Sequence, residues 1–398
     1  MSTLDLDALA ESTGHATRTS KKWRVYDRDV LPAWIAEMDY GIADPIREAL
    51  AAQVQRADIG YPDPAGDGVP EAFAEWVLRG WGWHVEPSQV RVVPDVMRGM
   101  EMCLQAFSEP GEPVIVTTPV YPPFLDAVAD YDRVLAPAGL VRNGDGWEFD
   151  LDAVERGLLA GARLILLCSP HNPTGHVFTR EELERVAELA LRHEAVIVSD
   201  EVHAPLVFEP HVHLALAELV PDVRRLLVTV TSASKAWNMP GLRCAQIVCQ
   251  DAALQARLDK LPRRLGNGVG ILGLTATVAA FTQGEPWLAE VRRGLDERRH
   301  LVGTLLAERL PAVGYQMPEA SYLAWLDLSA LPAEVNWAGE LVARGRVALN
   351  SGVDFGPGGE RHVRLNFATS RARIEEVVDR MALALAGREE HAHVAADR

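Results

Sequence analysis

Two hydrophobic rhythms alternate along the middle of the chain. Residues 163–168, 195–199 and 226–231 are short, continuous apolar runs, the pattern of strands buried on both faces. Between the first two, Leu183, Val186, Ala187, Ala190 and Leu191 recur at the spacing of a single helix face. Thr179, with Glu182 three residues on, forms a capping box that predicts where this helix begins. The first run ends in Ser-Pro-His-Asn-Pro-Thr-Gly, the second in Asp200-Glu201 and the third in Ser-Ala-Ser-Lys, all small or turn-forming residues. Strand and helix in this alternation predict an α/β fold with a mainly parallel sheet. Such sheets bind ligands just beyond the carboxyl ends of their strands, where Asn172, Asp200 and Lys235 fall.

A chain of 398 residues exceeds what one core comfortably serves, so a large domain with a smaller partner is expected. The net charge of −17 leaves no basic stripe to neutralise a phosphate backbone, which argues against a nucleic-acid partner. The start, Met1-Ser-Thr-Leu-Asp-Leu-Asp, lacks a basic stretch followed by an apolar one, and no apolar run approaches membrane-spanning length. The expectation is a cytoplasmic protein. Cys103, Cys168, Cys244 and Cys249 show no ligand-like spacing and read as buried, reduced thiols. There is no internal repeat, and a polar tail from Gly387 to Arg398 is expected to be mobile.

Lys235 is the only charged residue between Leu226 and Leu242, set among small residues and followed by Trp237, Met239 and Pro240. The bland reading is a lysine at a loop tip. The functional one is a partly desolvated amine, whose lowered pKa exposes the neutral form and permits a Schiff base with an aldehyde. Ser232-Ala-Ser-Lys235 also fits the S-x-x-K motif of serine acylases, but their S-D-N and K-T-G partners are missing. His203, His211 and His213 with Asp200 have metal-ligating side chains, yet two of them are expected in a surface loop after Pro210 and no metal is assigned.

Ser232-Ala-Ser-Lys235-Ala-Trp-Asn-Met-Pro-Gly-Leu-Arg243 resembles the cofactor-lysine segment of the class I and II aminotransferase superfamily, the fold type I enzymes that depend on pyridoxal 5'-phosphate. The resemblance implies that Lys235 carries the cofactor while Ser232 and Arg243 hold its phosphate. Pro170-His-Asn172-Pro-Thr-Gly175 resembles the loop whose asparagine bonds the cofactor's 3'-oxygen. Ser199-Asp200-Glu201-Val-His203 resembles the strand end whose aspartate pairs with the ring nitrogen, and His203 stands where many transaminases have a tyrosine.

Over roughly residues 18 to 386 the chain is most similar to the cystathionine β-lyase-like branch, the MalY/PatB-type C–S lyases. The match runs through Trp34, Ala36 and Asp39, through Gly60-Tyr61, Tyr121 and Tyr322, and through Arg364-Leu-Asn366. It implies that Tyr121 stacks on the cofactor, that Trp34, Ala36, Asn172 and Arg364 bind substrate, and that Arg364 clamps the carboxylate. It further implies a homodimer in which Tyr61 reaches the neighbouring subunit's phosphate, so that Lys235, Tyr121 and Tyr61 form the catalytic set. Asp95, Val96 and Met97 stand in place of the branch's glycine-valine phosphate turn, and residues 263 to 270 also depart from its pattern.

The implied architecture is a seven-stranded-type, mainly parallel sheet in a large domain over 51–285, with a smaller α+β domain from 1–50 and 286–386. The implied reaction is α,β-elimination of an S-substituted cysteine such as cystathionine to thiol, pyruvate and ammonia. Two alternatives use the same fold: an aminotransferase acting on a small amino acid, and a regulatory protein that binds a partner.

Overall fold

Eight strands make one sheet in the order Val90–Val93, Ala245–Cys249, Leu227–Thr231, Val196–Asp200, Leu164–Cys168, Pro113–Thr118, Val134–Asn143, Gly146–Phe149. The computed structural model describes residues 4–396 except 64 and 145, with side chains from 4 to 386. Only Ala245–Cys249 and Gly146–Phe149 run against the common direction. The sheet has one strand more than the seven-stranded type expected, because Gly146–Phe149 folds back antiparallel on Val134–Asn143 at the edge. The three apolar runs become the neighbouring parallel strands Leu164–Cys168, Val196–Asp200 and Leu227–Thr231, each within a residue of its expected bounds.

Their continuous hydrophobicity has a direct cause. Leu164, Leu166 and Cys168 pack in one core with Met100, Cys103 and Leu104, whereas Ile165 and Leu167 pack in another with Leu183, Val186 and Ala187. Successive side chains thus meet different helices, Val96–Phe107 on one face and Arg180–His193 on the other. Each buried Leu or Ile stabilises by about 1.5–3 kcal/mol. The helix Val96–Phe107 lies so close to the sheet that a Cβ on Gly99 would come within 2.8 Å of Val230. Helix Arg180–His193 starts as its capping box predicts: Thr179 Oγ1 accepts from Glu182 N at 3.2 Å, and Glu182 Oε2 accepts from Thr179 N at 2.7 Å.

A second, four-stranded antiparallel sheet orders Gly314–Tyr315, Leu323–Asp327, His362–Asn366 and Asn350–Ser351. Its register sets Arg364 between Trp325 and Asn350. The N-terminal segment joins it through the parallel pair Leu31–Pro32 and Val347–Ala348. All four cysteines are buried and free of disulfides. The last helix, Arg371–Ala396, runs through the tail expected from residue 387, whose side chains lie outside the described residues. Among the described residues no helix is long and apolar enough to cross a membrane.

Candidate active site

The parallel strands end in register, with Cys168 beside Asp200 and Asp200 beside Val230. The chain leaves them into short loops, so Asn172 and Lys235 project over the same edge. Gly175 closes the first loop at φ 74°, where an added Cβ would stand 2.4 Å from Pro318. A cavity of about 220 Å³ opens there, and Asn172, Asp200, His203 and Lys235 line it together with Tyr121 and Ala36. Asp95, Val96 and Met97, at the start of the helix Val96–Phe107, close its far end.

Lys235 is no surface lysine. Its Nζ donates to the Ala36 carbonyl at 3.0 Å, and burial, helped by the positive charge of Arg364, lowers its pKa to about 8. Asp200 is buried, with one oxygen accepting from Val202 N at 3.0 Å. Burial lifts its pKa to about 7, outweighing the Val202 N–H and the charge of Lys235, which both pull it down. His203 is also buried and held neutral, its pKa lowered to about 3 by burial, and its Nδ1 meets Ser321 Oγ at 3.1 Å. Tyr121 immediately precedes the helix Pro122–Asp130, and burial raises its pKa.

Arg364 reaches this group from the small sheet. Its guanidinium donates to Asn172 Oδ1 at 3.0 Å, to the Trp34 carbonyl at 3.1 Å and to Asn350 Oδ1 at 2.7 Å. Burial lowers its pKa to about 10, so it stays cationic at neutral pH, and its buried Nε has no partner among the described residues.

Other expected residues sit differently. Ser232 is engaged with the protein itself, donating to the Cys244 carbonyl at 2.7 Å and accepting from Ser234 N at 3.0 Å. Arg243 pairs with Asp95, whose other oxygen caps the helix by accepting from Arg98 N at 2.8 Å. The Trp34 ring stands edge-on to Tyr26, away from the cavity lining, and only the Trp34 backbone meets Arg364. Tyr61 is fully exposed and lines a separate surface hollow with Asn267 and Gly268. His213 corrects the surface-loop reading: it is buried, with Nε2 3.0 Å from Glu201, while His211 faces Glu319.

Sequence reasoning passed over Cys168, Val202, Ser234 and Pro240 in the cavity wall. It also missed the role of Tyr322, whose hydroxyl donates to the same Ala36 carbonyl at 3.1 Å. Ser234 lay inside the lysine motif, and Tyr322 inside a segment already matched to the family.

A large, mainly parallel sheet, a small antiparallel sheet and a lysine-bearing cavity at the strand ends define a fold type I enzyme that uses pyridoxal phosphate. The chain belongs to the class I and II aminotransferase family, whose profile matches residues 25–381. It is 36% identical over 368 residues to the cystathionine β-lyase of Corynebacterium glutamicum, covering 92% of this chain and 97% of that protein. It is 34% identical over 360 residues to the cystathionine β-lyase PatB of Bacillus subtilis, covering 90% and 93%. Among solved structures, the pyridoxal-phosphate-bound C–S lyase of Staphylococcus hominis superposes with a TM-score of 0.87 at 25% identity, covering 92% of this chain and 96% of that one.

The residues present fit the cofactor. A buried carboxylate at the cavity wall suits a protonated ring nitrogen, and a lysine with lowered pKa suits an aldehyde.

Proposed function

We propose that this protein is a pyridoxal-phosphate-dependent C–S lyase that cleaves S-substituted cysteines, with cystathionine as the reference substrate. Water and the substrate give thiol, pyruvate and ammonium, with no external oxidant or amino acceptor. The observation that carries the reading is the convergence of Lys235, Asp200 and Asn172 on one cavity, with Arg364 bonded to Asn172 from the other sheet. The relatives from C. glutamicum and B. subtilis, both cystathionine β-lyases, support the lyase assignment over other chemistry of the family.

Bound in this cavity, pyridoxal phosphate supplies an electron sink for charge developing at the substrate's Cα. Lys235 acts as the general base that takes the Cα proton. A pKa near 8 leaves roughly three hundred times more neutral amine at neutral pH than an ordinary lysine would have. Asp200, buried at the cavity wall, would pair with the ring nitrogen and keep it protonated. Arg364 receives the substrate carboxylate, for which its planar fork is suited. Tyr121, in the cavity wall, would cover the ring face, and Lys235 is placed to return a proton to the departing sulfur.

The test is to incubate the protein with L-cystathionine and S-alkyl cysteines without any keto acid. Equal yields of pyruvate, ammonium and free thiol are expected. Strict dependence on an added keto acid would overturn the lyase reading and identify an aminotransferase. Borohydride reduction should fix the cofactor on Lys235, and Asp200→Asn should cost about three orders of magnitude or more in turnover.

A further inference from the structure

Two ties join the Lys235 turn to residues 36–41, at the other end of the sequence. One is the bond from Lys235 Nζ to the Ala36 carbonyl at 3.0 Å. The other is made wholly by Asn238, three residues further on. Its Oδ1 accepts from Met38 N at 2.8 Å, and its Nδ2 donates to the carbonyls of Met38 and Gly41, both at 2.9 Å. Asn238 is buried and held at φ 55°, a left-handed conformation that asparagine and glycine adopt most readily.

The opposite edge of the segment is fastened from elsewhere. Asn366 Nδ2 donates to the carbonyls of Ile35 at 2.6 Å and Glu37 at 2.8 Å. Lys22, itself buried against Asp39 at 2.7 Å, donates to the Glu37 carbonyl at 3.1 Å. The segment is therefore strung between Asn366 in the small sheet and Asn238 beside the lysine. The two ties on the lysine side differ in kind. A lysine that moves protons cannot hold the segment continuously, whereas the side-chain amide of Asn238 has no competing chemistry.

We propose that Asn238 is a positioning residue: its amide keeps residues 36–41 docked on the lysine turn, so that the Ala36 carbonyl stays within hydrogen-bond reach of Lys235 Nζ whenever that amine is free. The carbonyl accepts one N–H of the amine and limits its rotation, which aims its single lone pair. The docking rests on the geometry alone, and its effect on turnover rests on the role proposed above for Lys235.

The test compares Asn238→Gly, Asn238→Asp and Lys235→Ala in the cofactor-loaded enzyme. Glycine keeps the left-handed backbone and removes all three bonds, and aspartate keeps the acceptor but loses both donated bonds. Amide hydrogen exchange across residues 36–41 should rise roughly tenfold or more in both Asn238 variants, and should stay near the parent rate in Lys235→Ala. In Asn238→Gly, kcat should fall roughly ten- to a hundredfold at unchanged cofactor content, with a displaced pH profile. Unchanged exchange in either Asn238 variant would overturn the docking. Faster exchange with parental kcat and pH profile would overturn the positioning role. Turnover by Lys235→Ala would instead defeat the lysine assignment and leave the exchange result standing. Should Asn238→Gly fail to fold by circular dichroism, Asn238→Asp carries the same comparisons.

Discussion

Arg364 and Asn172 stand 192 positions apart in sequence, yet the guanidinium of one donates to the side-chain oxygen of the other at 3.0 Å. This bond ties the small antiparallel sheet to a loop at the carboxyl edge of the large one. It also fixes the fork of Arg364 before any substrate arrives, which lowers the cost of ordering it on binding.

Arg364→Lys should therefore raise KM for an amino-acid substrate by roughly a hundredfold, since lysine cannot keep the three anchoring bonds and present a fork as well. Arg364→Gln has a second expected effect. Burial and then the charge of Arg364 hold the Lys235 pKa down at about 8, so removing that charge lets the ammonium form persist to higher pH. The pH dependence of Lys235 acylation in cofactor-free protein would shift upward. An unshifted profile would assign the whole depression to burial.

Asp95 caps the helix Val96–Phe107 and pairs with Arg243, which the family resemblance implies as a holder of the cofactor phosphate. Asparagine caps helices as well as aspartate does, so Asp95→Asn removes a negative charge without removing the cap. The variant should bind pyridoxal phosphate about tenfold more tightly, with a melting temperature close to the parent's. Fluorescence titration of the apoenzyme decides this. Weaker binding would mean that Asp95 serves by holding Arg243 in place.

How much of this was legible beforehand follows from what hydrophobic patterns report. Strands at 163–168, 195–199 and 226–231 were readable because both faces of each are buried, and their ends located Asn172, Asp200 and Lys235. Asn238, Tyr322 and the Arg243–Asp95 pair were not, because each acts through contacts with distant segments that leave no local periodicity. His213 misled for the same reason. It follows Pro210 in a loop, but the fold turns that loop inward and pairs it with Glu201.

His176 offers a test of stability against pH. Burial alone would lower its pKa, but hydrogen bonds to Glu182 and Glu319 outweigh burial and raise it to about 9. A folded-state value above the unfolded value of about 6.5 means that the stabilisation is complete below pH 6.5 and is lost as pH rises through 9. The difference in unfolding free energy between the parent and His176→Gln should shrink over that window by an amount on the order of 3 kcal/mol. Urea unfolding at pH 6, 7.5 and 9.5 measures it. A difference constant across the three would show that the fold leaves the histidine's pKa at its unfolded value, and one that grows with pH would show that the fold keeps it neutral.

Tyr61 is fully exposed in the single chain and stands in a surface hollow apart from the Lys235 cavity. An aromatic residue left bare beside a glycine and a proline is poorly explained by its own subunit, and two-fold dimers are the commonest closed assembly. The prediction is a homodimer in which Tyr61 of one protomer donates to the cofactor phosphate of its partner. Such a charge-assisted bond is worth about 1.5–3 kcal/mol, so Tyr61→Phe should weaken cofactor binding roughly ten- to a hundredfold. Mixing Lys235→Ala chains with Tyr61→Phe chains at limiting cofactor separates the two geometries. If Tyr61 acts across the interface, one site of each mixed dimer collects both defects and the other is intact, so activity returns after subunit exchange. If it acts within its own chain, every site keeps one defect. A mixture no more active than its components, after exchange is demonstrated with differently tagged chains, would defeat the shared site.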